Sequence, residues 1–111
     1  NDQMALGVAD AVRAAGKTGS VAIIGVDGIA DALDAVRNGS ISATVSQYPY
    51  VMGQMALEAC VAAARGARLP ANVDSPIAVV TKANVGRATA TFPRPFRGHA
   101  DPFARLLAKR P

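Results

Sequence analysis

Tryptophan is absent from this chain of 111 residues, and cysteine and histidine occur once each. Each scarcity excludes something. The lone Cys60 cannot close an internal disulfide, and on an apolar helix face it is expected to pack as a small hydrophobe. The lone His99 lies between Arg97 and Asp101 with no second ligand near it in sequence. Neither a metal site nor a nucleophile–histidine pair can be assembled around it, so it is expected to be an exposed bystander. Ser40, Ser42 and Ser46 have no base to activate them. Gly25-Val26-Asp27-Gly28 is too short to cradle a phosphate. Long apolar runs are missing too, since stretches such as Val21 to Val26 fall far short of the ~20 residues a membrane-spanning helix needs. No cofactor, no metal and no enzymatic activity are therefore expected.

What is present is alanine and valine in quantity, with charge unevenly placed. Half of the residues are apolar (50%), enough for one modest core and a single domain. The chain opens on Asn1-Asp2 without an initiator methionine, a charged leader or a preceding strand. It reads as the carboxyl-terminal part of a longer protein, on which a secretory signal would lie upstream. The net charge of +4 hints at nucleic acid until it is divided along the chain. Six basic side chains face seven acidic ones over residues 1–86, whereas six face only Asp101 over 87–111. The basicity belongs to a tail with scattered charges and few aromatics, which reads as a solvated segment and not as a nucleic-acid surface.

Apolar periodicity lays out alternating elements. Asp2 is a good N-cap for a helix over about 3–15, where Ala5, Val8, Ala9 and Val12 recur at helical spacing until Gly16 supplies a left-handed end. Val21 to Val26 is apolar on both faces, the pattern of a strand buried inside a parallel sheet. A short helix over 29–37 turns Ala30, Leu33, Ala35 and Val36 inward and stops at Asn38-Gly39. Ile41 to Ser46 alternates with period two, as a strand with one face less buried does. Two strands joined by one helix within ~25 residues make a parallel crossover the default. Pro49 breaks the chain direction. From 50 to 65, Met52, Ala56, Ala59, Cys60 and Ala63 form one helical stripe, whose alanines suit close approach to another element. Residues 68–76 read as a loop and 77–81 as a last strand. Beyond Gly86 the prolines of Phe92-Pro93-Arg94-Pro95-Phe96 and Asp101-Pro102-Phe103 predict an extended tail held by phenylalanine anchors. Phe103, Leu106 and Leu107 there are compatible with one or two helical turns.

Three polar residues stand one repeat apart where apolar strands should end: Asn1, Asp27 and Gln47. In an open parallel sheet, side chains at the carboxyl ends of strands face a common crevice, so such groups can converge on one small molecule. Amides donate and accept, and an ionised carboxylate accepts two hydrogen bonds, a set suited to neighbouring hydroxyls. Asp27 has a second reading as the N-cap of the helix that follows it.

The segments Asn1-Asp2-Gln3-Met4-Ala5-Leu6-Gly7, Ile24-Gly25-Val26-Asp27-Gly28 and Ala43-Thr44-Val45-Ser46-Gln47-Tyr48-Pro49 together resemble the ribose-binding-protein-like family of periplasmic sugar-binding proteins. The resemblance runs over about residues 1–86, and the Pro/Phe tail is similar to that of some solute-binding members. It implies an α/β fold, the parallel-sheet Rossmann-like lobe of a type I periplasmic binding protein, incomplete in this chain. In such proteins two lobes joined by three hinge strands close on one ligand and present it to the membrane permease of an ABC importer. The resemblance further implies that Asn1, Asp27 and Gln47 contact sugar hydroxyls, with Gln47 at a hinge. No cofactor is implied, and the whole protein is expected to be a monomer in the periplasm, or a membrane-anchored lipoprotein outside the cell.

The implied division is 1–47 as part of the second lobe, 48–76 as a hinge crossing and a helix that packs on the first lobe, 77–86 as a strand returning to the second lobe, and 87–111 as the tail. Tyr48 and Tyr50 then either pack the hinge or stack on a sugar face. The effector domain of a lactose-repressor-type transcription regulator shares this ligand logic and is the alternative. An enzyme domain of the doubly wound class is a third reading, disfavoured by the missing phosphate loop.

Overall fold

The computed structural model describes residues 1–108. Lys109 and Arg110, counted above in the basic tail, lie outside the described residues. Eight elements follow one another: α1 (Asp2–Ala14), β1 (Ile24–Asp27), α2 (Ala30–Asn38), β2 (Ala43–Ser46), α3 (Pro49–Ala64), β3 (Ala78–Thr81), α4 (Val85–Thr91) and α5 (Pro102–Ala108). No helix among the described residues is long and apolar enough to cross a membrane.

Helix α1 is capped by Asn1, not by the expected Asp2: the Asn1 side-chain oxygen accepts from the Met4 amide at 3.0 Å. Both residue types cap well, so local propensity does not choose between them. At its other end Gly16, with φ of 64°, lets Lys17 and Gly16 donate to the carbonyls of Val12 and Arg13, which satisfies two orphan acceptors.

The three strands form one sheet in the order β1-β2-β3. Strands β1 and β2 are parallel, with Gly25 opposite Thr44 and Asp27 opposite Ser46. Strand β3 is antiparallel to β2, so the sheet is mixed and not wholly parallel as expected. The reason is topological. The chain leaves the sheet after Ser46, runs out through α3 and re-enters at Ala78, which is the register partner of Ser46. Entering at the end it left by, it must run backwards.

Helices α1, α2 and α4 share one core. Gly25, Thr44 and Val80 lie in register on the covered face, and Ala5, Leu33, Val36, Ile41, Val85 and Ala88 fill the space around them. The other face is open: Ile24 is 66% exposed and Val79 57%. The two-sided burial expected for β1 is therefore not met, since the elements packed on this sheet sit on one side of it.

A separate cluster joins α3 to α5 through Val51, Met55, Tyr48 and Phe103. The α3 stripe that the resemblance implies to pack on the other lobe finds little cover among the described residues. Val51, Met55 and Ala62 are buried, whereas Met52, Ala56, Cys60 and Ala63 are exposed and Ala59 is only half-buried. Cys60 is thus a surface thiol, not a core residue. Helix α3 is apolar around most of its circumference, so periodicity alone selects no face. The tail departs from expectation at residues 85–91, which are helical with Val85 and Ala88 buried on the α2 side of the core, whereas 102–108 form on α3 the helical turns allowed for around Phe103. The radius of gyration, 17.8 Å, well exceeds the roughly 13 Å of a compact 100-residue domain, as two clusters set end to end require.

Candidate functional site

A hollow of about 280 Å³ opens between the β1–α2 turn, the start of α3 and the end of α4. Asp27, Ser46, Tyr48, Tyr50, Leu33 and Phe92 contribute to its walls, which are mostly apolar. The parallel pairing of β1 and β2 places Asp27 and Ser46 side by side at the strands' carboxyl ends. Gln47 follows directly, and its amide nitrogen donates to the Asp27 carboxylate at 2.7 Å. The Gln47 backbone N–H also reaches the Asp27 carbonyl, at 3.2 Å. Two of the three residues singled out in the sequence are therefore in direct contact.

The backbone at this point is unusual. Asp27 has φ of 129° and Gly28 has φ of 76°, two successive residues on the side of conformational space that L-residues avoid. Glycine is required at 28 for a second reason, because a Cβ there would collide with Ser46. Asp27 does not cap α2. The N-cap position is Ile29, which offers no side-chain bond.

The amides of the turn leading into α2 are held instead by Asp2, which neither periodicity nor motif had marked for this role. Its carboxylate is fully buried and accepts from Gly28 N at 2.7 Å, Ile29 N at 2.9 Å and Thr44 Oγ1 at 2.6 Å. A Cβ on Gly25 would occupy the space of this carboxylate. The available signal was two consecutive cap-forming residues, Asn1-Asp2, of which one helix can use only one. Nothing local reveals a partner 42 residues away.

Asn1 precedes Asp2 as the cap of α1, and its side-chain oxygen is engaged by Met4. It lines a separate, shallow hollow with Met4, Val8 and Ile24, outside the one holding Asp27. Tyr48 is in the left-handed region, with φ of 53°, and its ring is buried. Burial pushes its phenol above the ordinary 10.0, against smaller opposing effects of Ser46, the Phe96 backbone and the Arg97 charge. Ser46 and Phe96 lie near the hydroxyl without hydrogen-bond geometry, and it is left unpartnered. Tyr50 is half exposed, covered by Arg94, whose guanidinium lies 5.4 Å from the ring centroid. His99 is exposed. Among the described residues no group of three His, Cys, Asp or Glu is placed to hold a metal ion.

Comparison with known proteins bears on the same segment. The family model of the periplasmic binding protein domain matches residues 1–68. The D-allose-binding periplasmic protein of Escherichia coli is 45% identical over 69 residues, covering 62% of this chain and 22% of that protein. The ribose import binding protein of Bacillus subtilis is 35% identical over 82 residues, covering 74% of this chain and 26% of that protein. Among solved structures, an ABC transporter solute binding protein from Bacillus halodurans with bound myo-inositol superimposes with a TM-score of 0.75 at 34% identity, covering 83% of this chain and 32% of its own. The chain thus spans between a fifth and a third of the length of these proteins. The similarities favour the solute-binding reading and lend nothing to the lactose-repressor-type alternative.

Proposed function

The chain belongs to the periplasmic binding protein family, and from that premise we propose that it supplies one wall of a sugar- or polyol-binding cleft in the solute-binding component of an ABC importer. The observation that carries the reading is the Asp27–Gln47 pair, held 2.7 Å apart where two parallel strands end, with Asp27 on the wall of a hollow. One carboxylate oxygen takes the Gln47 amide, which fixes its orientation. The remaining lone pairs accept from adjacent hydroxyls, while Gln47 keeps an amide oxygen and a second N–H for the same ligand. Such a pair suits a molecule whose neighbouring groups both donate and accept. Apolar walls beside it suit the C–H faces of a sugar ring. Asn1, which lines the neighbouring hollow, is the third proposed contact and would exchange its bond to Met4 for one to a hydroxyl. The relatives named above are binding proteins by name, so the role proposed is capture, not turnover.

The wider reading keeps the division expected from the sequence. Residues 1–47 and 77–86 belong to one lobe, and Tyr48-Pro49 begins a hinge crossing that carries α3 towards the other. The exposed side of α3, with Met52, Ala56 and Ala63, would face that lobe. The partners are the sugar or polyol and the membrane permease, the compartment is the periplasm or the outer surface of the cell, and the whole protein acts as a monomer. Calorimetric titration of the full-length protein with pentoses, hexoses and polyols tests the site. At least one should bind, and Asp27→Ala should abolish it. If none binds, or if Asp27→Ala binds as tightly as the parent, the assignment is wrong.

A further inference from the structure

We infer that Asp2 is a positioning residue for the proposed cleft, holding Asp27 in its strained conformation through one buried carboxylate. The inference rests on the sugar-site reading and adds a residue that touches no ligand. A non-glycine residue at φ of 129°, as at Asp27, does not persist unless its surroundings over-determine it. Four constraints converge on this turn. Gln47 holds Asp27 by side chain and backbone, Ser46 fills the space above Gly28, and the two amides after Asp27, those of Gly28 and Ile29, both point at Asp2 Oδ2.

The other Asp2 oxygen takes the Thr44 hydroxyl, which ties the turn to the middle of β2. Because Asp2 is the first residue of α1, the same contact fixes where the helix begins and so where Asn1 stands. An ionised carboxylate is the chemical choice here. It faces three donors and no acceptor, and it lies at the amino-terminal ends of two helices, where backbone dipoles favour negative charge. No side chain in the sheet competes for the space, since Gly25 leaves it open.

The test uses the full-length protein with two readouts, polyol affinity and amide hydrogen exchange, both taken well below the melting temperature. Asp2→Ala should speed exchange at Gly28 and Ile29 by about 10-fold or more, leave Ala35 and Val36 in the body of α2 unchanged, and weaken affinity by about 10-fold or more, as loss of bonds to a charged group predicts. Asp2→Asn should recover most of both, since its oxygen can accept from the two amides while its NH2 donates to Thr44. If Asp2→Ala does not fold, Thr44→Val gives the smaller version of the same effect.

A folded Asp2→Ala protein with parental affinity overturns the inference. So does an affinity loss accompanied by equal loosening throughout α2, which would mark a structural role only. A parent that binds no polyol overturns the function reading and the affinity claim with it. The exchange result then still decides whether Asp2 holds the turn.

Discussion

Tyr48 and Asp27 are the residues at which the chain gives up local comfort. The Tyr48 hydroxyl is buried and unpaired, and a buried polar group without a partner costs about 1–3 kcal/mol in desolvation. Tyr48→Phe in the full-length protein should therefore match or exceed the parent's stability at neutral pH, by up to about 1 kcal/mol in denaturant titrations. The pH dependence has a definite sign. Burial raises the phenol above its ordinary 10.0, so the folded chain holds that proton more tightly than the unfolded chain does. The stability linked to it is complete below pH 10.0 and is lost as pH rises through the raised value. The gap between Tyr48→Phe and the parent should widen above pH 10.0 and stay flat below it; a gap that narrows there would contradict the assignment. At Asp27 the strain lies in the backbone, with φ of 129°. Asp27→Gly should be more stable than Asp27→Ala by about 1 kcal/mol, although both lose the carboxylate and with it the ligand. Equal stabilities would show that the turn bears no strain.

At the scale of elements, the docking of α5 on α3 depends on few side chains. Phe103 is buried against Val51 and Met55, with Leu106 beside it. Phe103→Ala should cost on the order of 3 kcal/mol locally, seen as lost exchange protection in α5 and the first half of α3 with β1 and β2 unaffected. Uniform loss across the sheet would mean the two clusters unfold as one.

The same contrast explains what the sequence disclosed. Helices α1 and α2 and the parallel pair of strands were legible because their apolar periodicity and spacing agree, although the helices' N-caps were misassigned. Helix α4 was not, since 85–91 is short and polar and is held by distant groups, Val85 and Ala88 on the core and Arg37 donating to Thr89. The direction of β3 was hidden because it depends on where the chain re-enters the sheet, which no local pattern encodes. The pairing of Asp27 with Gln47 was foreshadowed by two polar residues ending apolar strands. Asp2 and Thr44 were not, because their bond joins α1 to β2 across the whole intervening crossover.

At the scale of the molecule, the sheet is covered on one face only. Val26 and Val79 lie in register with Val45 between them on the bare face, and the first two are 40% and 57% exposed. A contiguous apolar surface of this kind is a place where something packs or where copies associate. The hollow at Asp27 is walled by the β1–α2 turn, the start of α3 and the end of α4 and is open to solvent on its remaining side. Binding pockets for small molecules bury about 70–90% of the ligand surface, and a ligand resting on one wall keeps its outer side in water. Its bonds to Asp27 and Gln47 then compete with bulk solvent and contribute little net free energy. Expressed alone, the 111-residue chain should therefore bind the polyol at least about 100-fold more weakly than the full-length protein. It should also self-associate with rising concentration, and Val26→Lys with Val79→Lys should suppress that association. Calorimetry and sedimentation on the two proteins measure both effects. Equal affinity in the two would mean that these residues hold the entire site, and the two-lobed reading would then have to be given up.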